Sequence, residues 1–438
     1  MMDELDLVGV GVGPFNLSVA ALADELPELR TRFFERRERF AWHPGLMFRG
    51  SRMQTSFLKD LVTAVSPTNR HSFVNYLVEH GRFHSFLAAD SSAVERREFA
   101  DYLGWVARRL GSLRFGDEVR ELRSIDGGFE LVHAHGRTRA RHVVLGTGRV
   151  PTVPECARAR LGSRCFHAID ILARELDLRG ARVVVVGGGQ TGAEVVLELL
   201  RGSWGELAAL SWVSRRLNFE PLDESPFTNH LFTPGFVSVF HQLDRDRREA
   251  LLVRHKLAGD GISLATLREL HERCYELSIT GEGPQLELLP ARELTAIDER
   301  GPGFELTTRN LLDDARERLD ADWVILCTGL REQLPPCVEP LLPELELDER
   351  GWPQVERTFE LRRRRRADER VYIVNGGRTT HGIAESQLSL MAWRSAVILN
   401  DVLGRRRFAI ERERDLVRWR AQPAGSRSGS DECRTGDS

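Results

Sequence analysis

Lysine is almost missing from this chain: of 62 basic residues only Lys59 and Lys256 are lysine. Arginine fills nearly every basic role, so a lysine that remains hints at a place where a slim ammonium matters. Cysteine is sparse as well. The six, at positions 156, 165, 274, 327, 337 and 433, form no CxxC pair and no grouping with histidine. That excludes a disulfide framework, a dithiol redox centre and a metal site, and it suits a reduced, cytoplasmic setting. Neither sign of charge dominates: the formal net charge is −3 over 438 residues, which argues against nucleic acid as a partner. No apolar run approaches the length of a membrane span, so no integral membrane contact is expected. The acidic start, Met1 to Asp6, leads straight into a strand pattern and predicts no secretory leader. The basic run Arg362–Arg366 is diluted by Glu356, Glu360, Asp368 and Glu369 and reads as a solvated loop.

Glycine, by contrast, is placed with purpose. Gly11-Val12-Gly13-Pro14-Phe15-Asn16 and Gly187-Gly188-Gly189-Gln190-Thr191-Gly192 each follow an apolar strand pattern and open a helical one. In that context glycine gives a tight turn and close backbone approach, and the new helix offers unpaired N–H groups to a pyrophosphate. The candidate cradle residues are Gly11, Gly13 and Asn16 in the first turn and Gly187, Gly189 and Gly192 in the second. Strand signals at Leu5–Val10, Thr31–Glu35 and Arg141–Thr147 make the first unit. Arg182–Val186, Leu210–Val213 and Trp323–Gly329 repeat the plan. The closing pairs Thr147-Gly148 and Thr328-Gly329 echo one another, as strand ends do beneath a cofactor.

The tip of the second strand in each unit separates the cofactors. Glu35 can accept from a free ribose diol, which suits FAD, or NAD; Ser214, Arg215 and Arg216 suit a 2′-phosphate, hence NADPH. The fold class is therefore α/β, with two Rossmann-like dinucleotide-binding domains and a small helical substrate insertion. Residues 1–180 with 331–420 form the FAD domain, 181–218 with 278–330 the NADPH domain, 219–277 a helical substrate-binding segment, and 421–438 a disordered tail. A strand Val371–Asn375 and a helix Glu385–Leu403 are expected to close the first domain.

An FAD site and an NADPH site in tandem restrict the chemistry. Disulfide reductases need a close redox cysteine pair, absent here. Baeyer–Villiger monooxygenases carry Phe-x-Gly-x-x-x-His before the second turn, and Cys165-Phe166-His167 only hints at it.

Three segments resemble the flavin-dependent lysine/ornithine N-hydroxylating monooxygenases of siderophore pathways, the lysine enzymes most. They are Trp42–Gly45 with Met53–Thr63, Pro67–Asn69 and Ser72–Leu77; Asp223–Asn229; and His381–Leu390. The likeness spans roughly residues 5–403. Cys327 and Leu330 depart from the family's Ala-Thr-Gly-Tyr and are read as packing changes. The resemblance implies hydroxylation of a terminal amine by the flavin C4a-hydroperoxide, with O2 as co-substrate and a homo-oligomer, a tetramer, as the assembly. It implies Gln54 near the flavin ring and Lys59 on the substrate α-carboxylate. Asn229 would hold the amine with the backbone around Asp260, and Ser389 would lie close to both. Trp42, His43 and His381 are read as cofactor packing.

The residues alone leave other roles open. Asp60 could pair with Lys59, and Asn229 could cap the helix that follows it; Lys256 reads as solvated. L-Lysine is the expected substrate, with ornithine, putrescine or cadaverine as alternatives. A flavoprotein reductase or redox-sensing module is the alternative class, one that would not need Gln54, Lys59 and Asn229 together.

Overall fold

The computed structural model describes residues 4–90, 93–410 and 416–421, so all of the expected tail but Ala421 lies outside the described residues. Largely apolar runs, buried on both faces apart from Asp6 and Arg182 near their starts, form the two central strands, as parallel sheets require. In the first unit Leu5–Val10 lies between Thr31–Phe34 and the long strand Gly136–Leu145, parallel to both. Val371–Ile373 joins the far side of Gly136–Leu145. The short strand Leu113–Arg114 beside Thr31–Phe34 and an antiparallel meander, Val119–Ile125 and Gly128–His133, complete the seven-stranded sheet. The second unit repeats the arrangement in five parallel strands, with Arg182–Val186 between Ala209–Val213 and Trp323–Leu326. In each unit the strand that feeds the glycine turn is central, which puts the turn at the carboxyl edge of the sheet where ligands bind.

Several expected elements differ: the strands expected over Trp323–Gly329 and Val371–Asn375 stop at Leu326 and Ile373. The strand expected over Arg141–Thr147 begins at Gly136 and stops at Leu145, leaving Gly146–Gly148 as loop. The helix expected over Glu385–Leu403 is broken: two short 3-10 turns, Ile383–Ser386 and Leu388–Leu390, precede an α-helix from Met391 to Val402. Gln387 between them is extended, and Glu385 is buried on the backbone of Gly376 and Gly377, so packing overrides the helical periodicity.

The stretch between the second unit's strands is helical, as expected: Pro234–His241, Arg245–Arg254, Leu257–Asp260 and Leu264–Thr280. The last of these buries Leu270 and Leu277 with Val195, Val196 and Leu199 of helix Gln190–Leu200, acting as the crossover to strand Gln285–Leu289. Lys256 is exposed, as read. The basic run is only partly solvated: Arg363 turns inward to Glu344 at 2.6 Å and Ser124 at 2.9 Å. Among the described residues no helix is long and apolar enough to cross a membrane, and no group of three metal-ligating side chains occurs.

Asn16 is fully buried under the first turn, and its Nδ2 donates to the carbonyls of Gly11 at 2.8 Å, Val10 at 3.2 Å and Val144 at 3.4 Å. It ties the turn to the adjoining strand. Asn16→Ala strands those carbonyls and should cost about 2–4 kcal/mol, read as a lower urea midpoint. An unchanged midpoint would show the amide to be dispensable.

Candidate active site

A cavity of about 860 Å3 runs along the carboxyl edge of the first sheet. Gly11, Gly13, Glu35, Trp42, His43 and Gln54 line it, together with Gly146–Arg149. Gly11 holds φ 85, and a Cβ there would stand 2.7 Å from the Gly146 carbonyl oxygen, so the fold itself demands this glycine. Gly13 is different: the nearest protein atom to an added Cβ is 3.8 Å away. Gly189 in the second turn has the same 3.8 Å of room. Nothing in the protein requires these two middle glycines, whereas a pyrophosphate pressed against the backbone does.

Helices Pro14–Ala23 and Gln190–Leu200 both start at these glycines with no side-chain cap, leaving their first N–H groups for a ligand. Ser72, Thr233, Asp244 and Ser263 cap their helices with side chains, whereas helix Arg96–Arg109 also starts without one. Glu35 accepts from the Val12 N–H at 2.9 Å, which fixes its carboxylate beside the first turn. His43 sits at φ 43. Enclosure by the cavity walls, with Arg96 and Arg37 nearby, pushes its imidazole down to about 4, so it is neutral at neutral pH.

At the second turn Ser214 is buried and accepts from the Arg216 N–H at 3.2 Å. Arg216 spends Nη2 on the Asp260 carbonyl at 2.7 Å, while its Nη1 is buried without a partner. Arg215 is exposed and has no ion-pair partner among the described residues. Two guanidiniums with unspent donors beside a hydroxyl fit a 2′-phosphate.

A second, smaller hollow of about 40 Å3 adjoins the large cavity, sharing Gln54, Thr55 and Gln387 with it. Lys59, Asn229 and Ser389 line it, with Asp223, Glu224 and Phe232. These residues come from segments far apart in the chain, and four of the five expected catalytic and substrate residues converge here. The hollow is continuous with the large cavity through the residues they share, and the largely exposed segment 222–229 forms its outer wall.

Lys59 is half-buried, and burial lowers its pKa from the ordinary lysine value. Among the described residues the one polar contact of its ammonium is Ser389 Oγ at 3.4 Å. Asp60 is no partner: its buried carboxylate accepts from the N–H groups of Phe73, Thr63 and Val62 at 2.7, 2.7 and 3.0 Å. Asn229 is no helix cap either. It lies within the turn Thr228–Phe232, and Thr233 caps the next helix.

Other expected site residues fall elsewhere. Asp260 lies outside the hollow: its carbonyl meets Arg216, its carboxylate is 3.6 Å from Arg378, and Gly261 is pressed on the Leu222 backbone. His381 is buried against Phe359, ring centroids 4.2 Å apart, and does not line the cavity. Asn16 acts below the turn rather than on its ligand face. Gly187 packs on the Cys327 carbonyl and Gly192 on that of Gly187, both structural demands. Thr328 and Gly329 bond to Thr152 where the two units meet, not to the cavity. Leu330, by contrast, lines the cavity wall.

Sequence reading missed Gln190. Its Oε1 accepts from the Ser263 N–H at 2.8 Å and from Gln54 Nε2 at 3.4 Å, and its Nε2 donates to Glu194 at 2.9 Å and Thr266 at 3.1 Å. Glu194 pairs with Arg96 at 2.9 Å. This amide couples the second glycine turn to Gln54 across the two units. Its signal was its place inside the glycine motif.

A dinucleotide cradle that adjoins a hollow holding a half-buried ammonium, with a second glycine turn tied to it through Gln190 and Gln54, fits a flavin-dependent N-hydroxylating monooxygenase, the class to which the chain's relatives belong. The chain belongs to the L-lysine 6-monooxygenase/L-ornithine 5-monooxygenase family, whose model matches residues 3–332. It is 42% identical to the L-lysine N6-monooxygenase of Escherichia coli over 96% of this chain and 100% of the relative. The FAD-bound cadaverine monooxygenase of Erwinia amylovora superposes with a TM-score of 0.90 at 27% identity, covering 96% of this chain and 99% of that one. The ornithine N-hydroxylase of Kutzneria sp. 744, solved with reduced FAD, NADP+ and L-ornithine, gives a TM-score of 0.85 at 28% identity, covering 92% and 99%.

Arg216→Ala should raise the KM for NADPH about 10–100-fold and leave that for NADH within about threefold. Steady-state kinetics with both cofactors reads this, and equal effects would remove Arg216 from phosphate recognition.

Proposed function

We propose that this enzyme hydroxylates the terminal amine of L-lysine, using FAD, NADPH and O2, to give N6-hydroxylysine for a hydroxamate product of the siderophore kind. Gly11, Gly13 and Glu35 would hold the FAD; Gly189, Ser214, Arg215 and Arg216 would hold the NADPH. When bound, the two supply hydride transfer and reductive activation of oxygen. The observation that carries the choice of substrate is the unpaired Lys59 ammonium beside Gln54, Asn229 and Ser389. An amino acid offers a carboxylate to that ammonium and a diamine does not, and the 42% identity to a lysine enzyme supports the same choice.

The two amines in the hollow need opposite protonation states. Free alkylammonium has a pKa near about 10.4, and only its neutral form is nucleophilic. Burial here lowers the pKa of an amine, as it does for Lys59. Against the substrate carboxylate Lys59 regains a reason to stay charged. The amine beside Asn229 would meet a neutral amide, with the Asp223 and Glu224 side chains also in the wall, so enclosure rather than charge would have to draw off its proton.

Purified protein loaded with FAD should form N6-hydroxylysine from lysine and NADPH; NADPH oxidation that yields only hydrogen peroxide with every amine would contradict this. Lys59→Ala should raise the KM for lysine about 100-fold and that for cadaverine only a few-fold. Equal effects would remove the carboxylate contact. Because the folded-state pKa of Lys59 is lowered, its cation is lost as pH rises through a value below that of free lysine. Lysine affinity should therefore weaken at that pH in the wild type and persist to higher pH in Lys59→Arg, as measured by titration calorimetry.

A further inference from the structure

Behind both cavities lies a charged pair that the steps above do not use. Glu385 and Arg394 are 1% and 2% exposed, with Arg394 Nη2 2.7 Å from Glu385 Oε2 and 2.9 Å from the Glu385 carbonyl oxygen. The other carboxylate oxygen accepts from the N–H groups of Gly376 at 3.2 Å and Gly377 at 3.4 Å. Those N–H groups follow Asn375, a non-glycine residue at φ 62 in the wall of the large cavity. Arg394 stacks over Phe15, another wall residue, at 4.7 Å from the ring centroid, and over Phe359 at 5.4 Å. On the chain side, Glu385 leads directly into Gln387, which borders both cavities, and Ser389, which touches Lys59.

The pair is not well satisfied. Arg394 Nε and Nη1 are buried without partners, so an apolar pair of similar volume would serve stability as well or better. What an apolar pair cannot do is grip the Gly376 and Gly377 N–H groups from one end and Phe15 from the other.

We propose that Glu385 and Arg394 are positioning residues, which hold the Asn375 wall of the cofactor cavity in register with the Gln387–Ser389 wall of the substrate hollow. This rests on the assignment of those cavities in the preceding subsection. The test compares wild type, Glu385→Gln and the double variant Glu385→Leu/Arg394→Met. Four quantities are read: thermal midpoint, FAD dissociation constant by flavin fluorescence, KM for lysine, and hydroxylysine formed per NADPH consumed. The double variant should keep its thermal midpoint, while FAD binding and coupling worsen about tenfold and the lysine KM rises about tenfold. Glu385→Gln keeps an acceptor for the two glycine N–H groups and should show a smaller loss of coupling than the double variant.

A double variant within about twofold of wild type in FAD binding, KM and coupling would overturn the proposal. If the double variant does not fold, Glu385→Ala, which removes the acceptor, with wild-type coupling and KM does the same. A wild type that makes no hydroxylysine would refute the functional reading instead, and FAD affinity in the variants would still judge the pair.

Discussion

The half-buried ammonium of Lys59, left without a counterion, is the constraint on which the substrate hollow depends. Moving a charge out of water is unfavourable unless an opposite charge meets it. The neighbouring carboxylate could have met it, but Asp60 is bound by three backbone N–H groups that shape the turn into helix Phe73–Glu79. Among the described residues the Lys59 ammonium meets the Ser389 hydroxyl alone. On the proposed reading, the anion of a ligand would complete the site. In a chain with two lysines, one of them solvated, this is the position where an ammonium has a task.

The two halves of the molecule are joined at that site rather than simply placed side by side. Gln54 borders both cavities and meets Gln190, which opens the helix after the second glycine turn. Through Ser263, Thr266 and Glu194 the same amide reaches the crossover helix and Arg96. A chain of hydrogen bonds therefore runs from the second turn to the wall of the hollow. The buried Glu385–Arg394 pair does the corresponding work on the opposite wall.

Much of this was legible in the sequence because local chemistry carried it. The glycine turns, Glu35, and Ser214 to Arg216 sit at fixed offsets from apolar strands, and the structure puts them at the carboxyl edges of two sheets. The convergence of Lys59, Asn229 and Ser389 came from the family resemblance, since no local pattern links residues so far apart. What stayed hidden depended on tertiary packing. The periodicity of Glu385–Leu403 reads as one helix, yet the demand of Gly376 and Gly377 for an acceptor breaks it. His381 beside glycine looked like a cofactor contact and is a core ring on Phe359. Asp260 looked like part of the substrate site, but Gly261 pressed against Leu222 turns its carbonyl towards Arg216.

Whether Lys59 receives the substrate's carboxylate can be read from a crystal structure of the protein with FAD, NADP+ and L-lysine. The α-carboxylate should lie within about 3 Å of Lys59 Nζ and the terminal amine beside Asn229. A lysine bound with its carboxylate elsewhere, or with its terminal amine against Lys59, would contradict that placement.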